Sequence, residues 1–344
     1  MPQSDRSGRP RRSAPTVRDV AARAGVSPMT VSRVLRGEPR VSPSTRTRVL
    51  AAVDELGYRL DEVARSLRLG RASGLLGLVV TNLANPFYSR LALGAEEVAR
   101  HHGLRLVLGS TGGEVRREAE LTDDLVSRRV DGMIVVPAAS EQTHLDAETL
   151  RGTPLVLASR PPSGIEADTV LVDDFGGARA GAAQLVRDGH TSVGFLGNPP
   201  GLFTGAERFR GWRAALEEAG VPVRDAWVRR DARDIGTAQA AALDLLERSD
   251  APTALFCATN RLTLGAYRAV RQIGTGTALA GFDAVELADV LEGPLLIVSY
   301  DADEIGRRAA RLLIDRVLAE PGTPVRPARR SVVPTTLVRY GVTR

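Results

Sequence analysis

The stretch TVRDVAARAGVSPMTVSRVL, residues 16–35, decides how the front of this chain folds. Val17, Val20, Ala21 and Ala24 recur at the spacing of one helix face. Gly25 supplies the backbone freedom of a tight turn. Ser27 is an N-cap residue, and Pro28 follows at the first helical position, where a missing N–H costs nothing. Val31, Val34 and Leu35 form the buried stripe of a second helix, which Gly37 and Pro39 end. Ser42-Pro43 repeats the start signal. Val49, Val53 and Leu56 then give a third helix its apolar face, and Gly57 stops it. Three short helices with a tight turn between the first two predict an all-α helix-turn-helix head over residues 16–60.

On the N-terminal side, residues 1–15 are mainly Arg, Pro, Ser and Gly without an apolar period, and read as a disordered basic tail. On the other side, residues 61–70 (DEVARSLRLG) form one short helical pattern, too short to be stable alone in water. Residues 61–72 are therefore read as a hinge helix and linker. From residue 73 to 344 short apolar runs alternate with amphipathic stretches. The runs are 75–80, 104–109, 132–137, 154–159, 169–174, 192–197, 253–258, 278–283 and 295–300. Helical patterns lie at 87–102, 114–128, 176–188, 206–219, 237–249 and 261–273. Such alternation predicts an α/β body with parallel sheets covered by helices on both faces. The runs exceed one comfortable sheet, so two parallel-sheet subdomains are expected. Ligands in such folds sit beyond the carboxyl ends of the strands.

The chain has 344 residues, 43% hydrophobic and 25% charged, enough to bury a core in two or three domains. No apolar run is long enough to span a bilayer. The first residues lack the apolar stretch of a signal peptide, so a cytoplasmic protein in a reducing compartment is expected. Cys257 is the only cysteine, which excludes an intrachain disulfide and a cysteine-based zinc site. Four histidines, two of them adjacent at 101 and 102, give no metal cage; no metal or other cofactor is expected. All 46 basic residues are arginine, for which a GC-rich genome is a sufficient explanation. Their distribution is more telling. Residues 1–70 hold 14 Arg against 7 Asp and Glu, while the other 274 residues hold 32 against 34. A basic head on a near-neutral body points to a polyanion partner, nucleic acid ahead of a membrane surface.

The residues now carry a resemblance. Residues 16–35, with VSPSTR at 41–46, LGY at 56–58 and VARSL at 63–67, resemble the opening of the LacI/GalR family of bacterial repressors. The alternating body suits that family too, whose cores resemble periplasmic sugar-binding proteins. The resemblance implies that the second helix lies in the major groove of double-stranded operator DNA, with Pro28, Met29, Thr30 and Arg33 at base edges. Arg33 can give two hydrogen bonds to a guanine, while Met29 offers only apolar contact. Thr16, Ser27, Thr30 and Ser32 are placed for phosphates, with Arg36 on the same basic face. Ala64 and Leu67 match the hinge motif, where the leucine would wedge between base steps in the minor groove. Leu60-Asp61 replaces the family's usual Pro-Asn there, and Asp61 adds negative charge near phosphate.

For the body the resemblance implies a small-molecule effector. Phe87, in Asn85-Pro86-Phe87, stands where it would stack on a sugar ring or join the core. Arg208 matches a ligand-clamping arginine, and Asp283 a carboxylate that accepts hydroxyl hydrogen bonds. Thr259 and Asn260 align with a usual Asn-Asp. Ser159, followed by Arg160, replaces a common aspartate, and Tyr300 stands where glutamine is frequent. Carboxylates are thus lost around a site that keeps two arginines. A carbohydrate remains one expected ligand class and an anionic sugar derivative the other. Trp212 and Cys257 read as core.

Two other function classes compete with this reading. A sugar-related enzyme lacks support: there is no GxxxxGK, GxSxG or HExxH motif, and without lysine no Schiff base can form. The pair Asp173-Asp174 ends a predicted strand, where neighbours face opposite sides. A solute-binding protein would need an export signal and no helix-turn-helix. The reading is a non-enzymatic transcriptional regulator, cytoplasmic and nucleoid-associated through its operator. A homodimer on a near-palindromic site is expected, because the C-terminal sequence VPTTLVRYGVTR carries no heptad seam for a tetramer.

Overall fold

The structure, a computed structural model, describes residues 15–35, 37–58, 73–320, 322, 324 and 326–341. The tail, Arg36 and the segment with Ala64 and Leu67 lie outside the described residues. The chain divides into two compact units at Ser73–Gly74.

In the first unit, α1 (Val17–Ala24) begins with a reciprocal cap. The Thr16 hydroxyl accepts from the Asp19 N–H at 3.4 Å, and the Asp19 carboxylate accepts from the Thr16 N–H at 2.7 Å. Gly25 stops α1 in the left-handed region at φ +63°, and its N–H turns back to the carbonyls of Ala21 and Ala22. After this turn α2 (Pro28–Leu35) starts at Ser27, whose Oγ accepts from the Thr30 N–H at 3.2 Å. The third helix, α3 (Pro43–Leu56), is capped by Ser42 and ended by Gly57. Val20, Ala21, Ala24, Val31, Val34, Val49 and Ala52 form the small core they share.

The second unit is built from alternating strands and helices. A first sheet takes β1 (Leu75–Val80), β2 (Arg105–Ser110), β3 (Gly132–Val135), β4 (Leu155–Ala158) and β5 (Asp168–Val172), with helices α4 (Pro86–His101) and α5 (Val115–Ser127) in the connections. The chain then passes into a second sheet through α6 (Asp174–Arg187). This sheet takes β6 (Val193–Leu196), β7 (Val228–Arg229), β8 (Ala254–Cys257), β9 (Ala278–Phe282) and β10 (Leu295–Ser299), connected through α7 (Phe203–Glu218), α8 (Ile235–Leu246) and α9 (Asn260–Ile273). Helix α10 (Ala302–Val317) returns to the first sheet, where β11 (Arg330–Val333) joins its edge, and β12 (Thr336–Tyr340) returns to the second. The strand orders are β11-β5-β4-β3-β1-β2 and β12-β10-β9-β8-β6-β7. Strands β3, β5, β6 and β8 are buried along their whole length, as strands covered on both faces must be.

Each predicted apolar run overlaps a strand, but three details differ. The second sheet is not wholly parallel, since β12 runs antiparallel to β10. Helix α10 and strands β7, β11 and β12 fall outside the predicted runs. The run 169–174 is a strand only to Val172: Asp173 caps α6, accepting from the Gly176 N–H at 2.9 Å, and Asp174 opens that helix. These two carboxylates therefore do not sit on opposite sides of a strand. The return of α10 depends on close backbone approach to α4. A Cβ on Gly94 would lie 1.9 Å from the Asp303 carbonyl oxygen, and one on Gly306 would lie 2.0 Å from that of Leu91.

Candidate functional site

In the head, burial of Val31 and Val34 turns the opposite face of α2 outward. Met29 is 63% exposed, and Ser27, Pro28 and Arg33 are also exposed. Among the described residues Arg33 has one loose ion pair, 3.7 Å to Glu38, which holds its guanidinium back little from another partner. Thr30 shares a 2.9 Å hydroxyl contact with Ser27, and the Ser32 hydroxyl donates to the Pro28 carbonyl at 3.0 Å. Thr16, expected on phosphate, is tied to Asp19 by the α1 cap, its hydroxyl donating to that carboxylate at 2.7 Å.

In the body, the carboxyl ends of the strands of both sheets meet at a cavity of about 600 Å³. Phe87, Ser159, Arg160, Arg208, Thr259, Asp283 and Tyr300 all line it, brought together from widely separated parts of the chain. Asn260 is not on the lining. It opens α9, is buried, and its amide donates to Asn85 Oδ1 at 3.0 Å, linking the two subdomains.

The second subdomain holds its arginine in a closed network. Arg208 Nε donates to Asp174 Oδ1 at 2.7 Å; Nη1 donates to the Ala258 carbonyl at 2.6 Å and to Asp283 Oδ2 at 3.2 Å. Nη2 pairs with Asp283 Oδ1 at 3.1 Å, and the guanidinium lies 3.8 Å from the centroid of the Phe282 ring. The Tyr300 hydroxyl donates to Asp283 Oδ1 at 2.7 Å. Burial opposes charge on Arg208, but Asp283 and Asp174 outweigh it and hold its pKa above the ordinary value. Burial pushes Asp174 up to about 6 against the pull of Arg208, and its Oδ2 has no hydrogen-bond partner. Burial and the Asp283 charge keep the Tyr300 hydroxyl protonated.

The first subdomain presents a different surface. Ser159 follows β4 in the left-handed region at φ +66°, an uncommon conformation for a side chain other than glycine. Its Oγ and the Nε and Nη1 atoms of Arg160 are buried without a hydrogen-bond partner. Burial lowers the pKa of Arg160. Phe87 packs edge-on to Tyr88 and Tyr300, at centroid distances of 4.9 and 6.0 Å, so it joins the aromatic floor while still facing the cavity. Among the described residues no cluster of His, Cys, Asp and Glu is placed to hold a metal ion.

The comparisons with known proteins fit both parts. Residues 16–61 match the family described as bacterial regulatory proteins, lacI family. Residues 73–337 match periplasmic binding proteins and the sugar binding domain of the LacI family. The chain belongs to the LacI family. Among LacI-family relatives, catabolite control protein A of Priestia megaterium is 31% identical over 303 residues, covering 87% of this chain and 91% of that one. A solved complex of the transcriptional regulator CelR with cellobiose is 30% identical, covers 95% of this chain and 100% of that one, and superposes with a TM-score of 0.70. A Lac repressor dimer solved with operator and anti-inducer shares the fold, with a TM-score of 0.79 at 24% identity, covering 96% and 99% of the two chains.

The effector positions implied by the LacI-family resemblance thus fall on one cavity, Asn260 excepted, but the sequence does not show their bonding. Arg208, which the resemblance implies as a ligand clamp, lines the cavity and is engaged there by two carboxylates. Asp174, placed at a strand end by the sequence reading, meets Arg208 because α6 begins two residues before the predicted 176. Thr81, Asn82, Asn198 and Arg233 also line the cavity. Their only sequence signal is position shortly after a strand or before a helix.

Proposed function

We propose that this LacI-family chain is a sequence-specific repressor that binds a near-palindromic operator as a homodimer and responds to a small polar effector in the body cavity. It works in the bacterial cytoplasm and performs no chemistry on its effector. The observation that carries the reading is the head: α2 buries its valines and leaves Met29, Arg33 and the Ser27-Pro28 start outward. That is how a recognition helix offers its N-terminal side chains to base edges. A regulator needs a second site, and the cavity of about 600 Å³ has the size of a small-molecule pocket. The CelR complex with cellobiose supports a carbohydrate-like ligand. Exposed Leu93, Val107 and Leu108 on α4 and the edge strand β2 support a second copy. The lone thiol supports a non-enzymatic role: Cys257 is fully buried, and burial pushes its pKa up, away from nucleophilic thiolate.

The test is selection from randomised duplexes. Parent protein should enrich a two-fold symmetric site. Arg33→Ala should cost about 1–3 kcal/mol of binding and relax preference at one base pair in each half-site. An unchanged preference would remove Arg33 from the recognition surface.

A further inference from the structure

We infer that the effector carries an oxyanion, a carboxylate or a phosphate, and that Arg160 and Ser159 receive it. The inference rests on the reading of the cavity as the effector site and names the chemistry of its ligand.

Arg160 is only 8% exposed, and its Nε and Nη1 have no hydrogen-bond partner. The guanidinium remains charged in proteins even when burial lowers its pKa, so this is a buried cation with no ion pair among the described residues. Glu118 and Asp174 favour its charge from nearby, but neither forms an ion pair with it among the described residues, and Asp174 Oδ2 is itself without a hydrogen-bond partner. Glu118 Oε2 accepts from the Ala138 N–H at 2.6 Å, and its Oε1 meets His144 Nε2 at 2.9 Å. Asp174 gives Oδ1 to Arg208. Arg208 itself is balanced by two carboxylates, so it does not compete for a ligand's charge.

An unpaired buried charge is costly, and chains retain such groups where a partner arrives from outside. The planar guanidinium accepts two oxygens of one carboxylate or phosphate in parallel, charge-assisted bonds. The Ser159 hydroxyl, also buried without a partner, supplies a further donor beside it. Ser159 contributes no negative charge at the end of β4, so nothing there neutralises Arg160 in advance. Arg261 and Arg233 line the same cavity and add positive charge. The remaining polar groups, among them Asn198 and Thr259, suit the hydroxyls of the same molecule.

The experiment compares parent and Arg160→Gln full-length protein by thermal unfolding at constant ionic strength. Inorganic phosphate and acetate probe the oxyanion site directly. Glucose 6-phosphate, glucuronate and glucose then separate phosphate, carboxylate and neutral sources on one sugar frame. Phosphate or acetate should raise the parent midpoint, and Arg160→Gln should weaken that response at least tenfold in concentration. In buffer without these anions the variant should unfold at a higher temperature than the parent, because it no longer buries an unpaired charge. Equal responses of parent and variant, or no response of the parent, overturn the inference. Operator affinity measured alongside tests the regulatory reading separately. Anion binding that leaves operator affinity unchanged refutes the regulatory role of the cavity and leaves the anion site standing. Glucose altering operator affinity equally in parent and Arg160→Gln does the reverse.

Discussion

Arg208 and Arg160 face one cavity from different subdomains, 5% and 8% exposed, in opposite electrostatic states. Arg208 is held by Asp174, Asp283 and the Ala258 carbonyl, and Phe282 covers its plane. Arg160 has two buried nitrogens without a hydrogen-bond partner. The difference separates preorganisation from recognition. A closed network fixes the second wall before a ligand arrives: Asp283 is held by Arg208 and Tyr300 although its backbone sits at φ +71°. The first wall leaves its bonding capacity unspent. A ligand gains most where the protein has not already satisfied itself.

The largest effect should come from opening the closed wall. Arg208→Ala leaves Asp174 and Asp283 buried without their shared cation. Removing one partner of a buried ion pair typically costs about 3–5 kcal/mol. The loss should appear as a large fall in the urea midpoint, so this variant cannot be read as a simple loss of ligand contact. Adding Asp174→Asn to Arg208→Ala should recover part of the stability, because one stranded charge is then gone. A midpoint unchanged by Arg208→Ala would mean that the second wall is not structurally committed.

How much of this contrast could be read beforehand depends on the range of the contacts. Strand runs such as 75–80 and 253–258 are legible because burial on both faces demands continuous apolar residues. Helix ends at Gly25 and Gly57 are legible because only local backbone geometry is involved. The edge strand β11, RSVV, is too polar and short to stand out, and α10 hides its apolar stripe among arginines. Arg160 and the absent carboxylate at 159 are visible as letters, but burial is not. Arg208 meets partners 34 and 75 residues away, a distance over which composition carries no geometry. Asp174 shows a sharper limit: a two-residue shift of strand end and helix start turns a presumed strand carboxylate into the partner of Arg208.

A second, smaller effect tests the closed wall by pH. Burial pushes the Asp174 carboxyl up to about 6, above its unfolded value near 3.8. Between these values the folded protein binds more protons at this site than the unfolded chain does. Its contribution to stability is therefore lost as pH rises from about 4 to 6, by at most about 3 kcal/mol. Asp168 has the opposite sign: hydrogen bonds from Arg316 and Arg329 outweigh burial and lower its pKa, so its contribution fades as pH falls below the ordinary range. Urea unfolding of parent and Asp174→Asn across pH 4 to 7 isolates the site. The difference between the two stability curves should slope through this window; parallel curves would show that Asp174 titrates normally.

The smallest effect concerns the link between the walls. Asn260 donates to Asn85 Oδ1 at 3.0 Å, and that same oxygen accepts from the Phe87 N–H at 3.1 Å as the cap of α4. The two substitutions are therefore unequal. Asn260→Ala removes the link and leaves the cap, whereas Asn85→Ala removes both and should cost more, since a lost N-cap alone is worth about 0.5–2 kcal/mol. A neutral hydrogen bond contributes about 0.5–1.5 kcal/mol net, so a double-mutant cycle in urea should return a coupling of that size. Costs that simply add would mean that each wall is set by its own subdomain and that Asn260 does not tie them. A coupling within the expected range would make Asn260 a positioning residue, acting on the cavity by holding the two sheets together rather than by touching what binds between them.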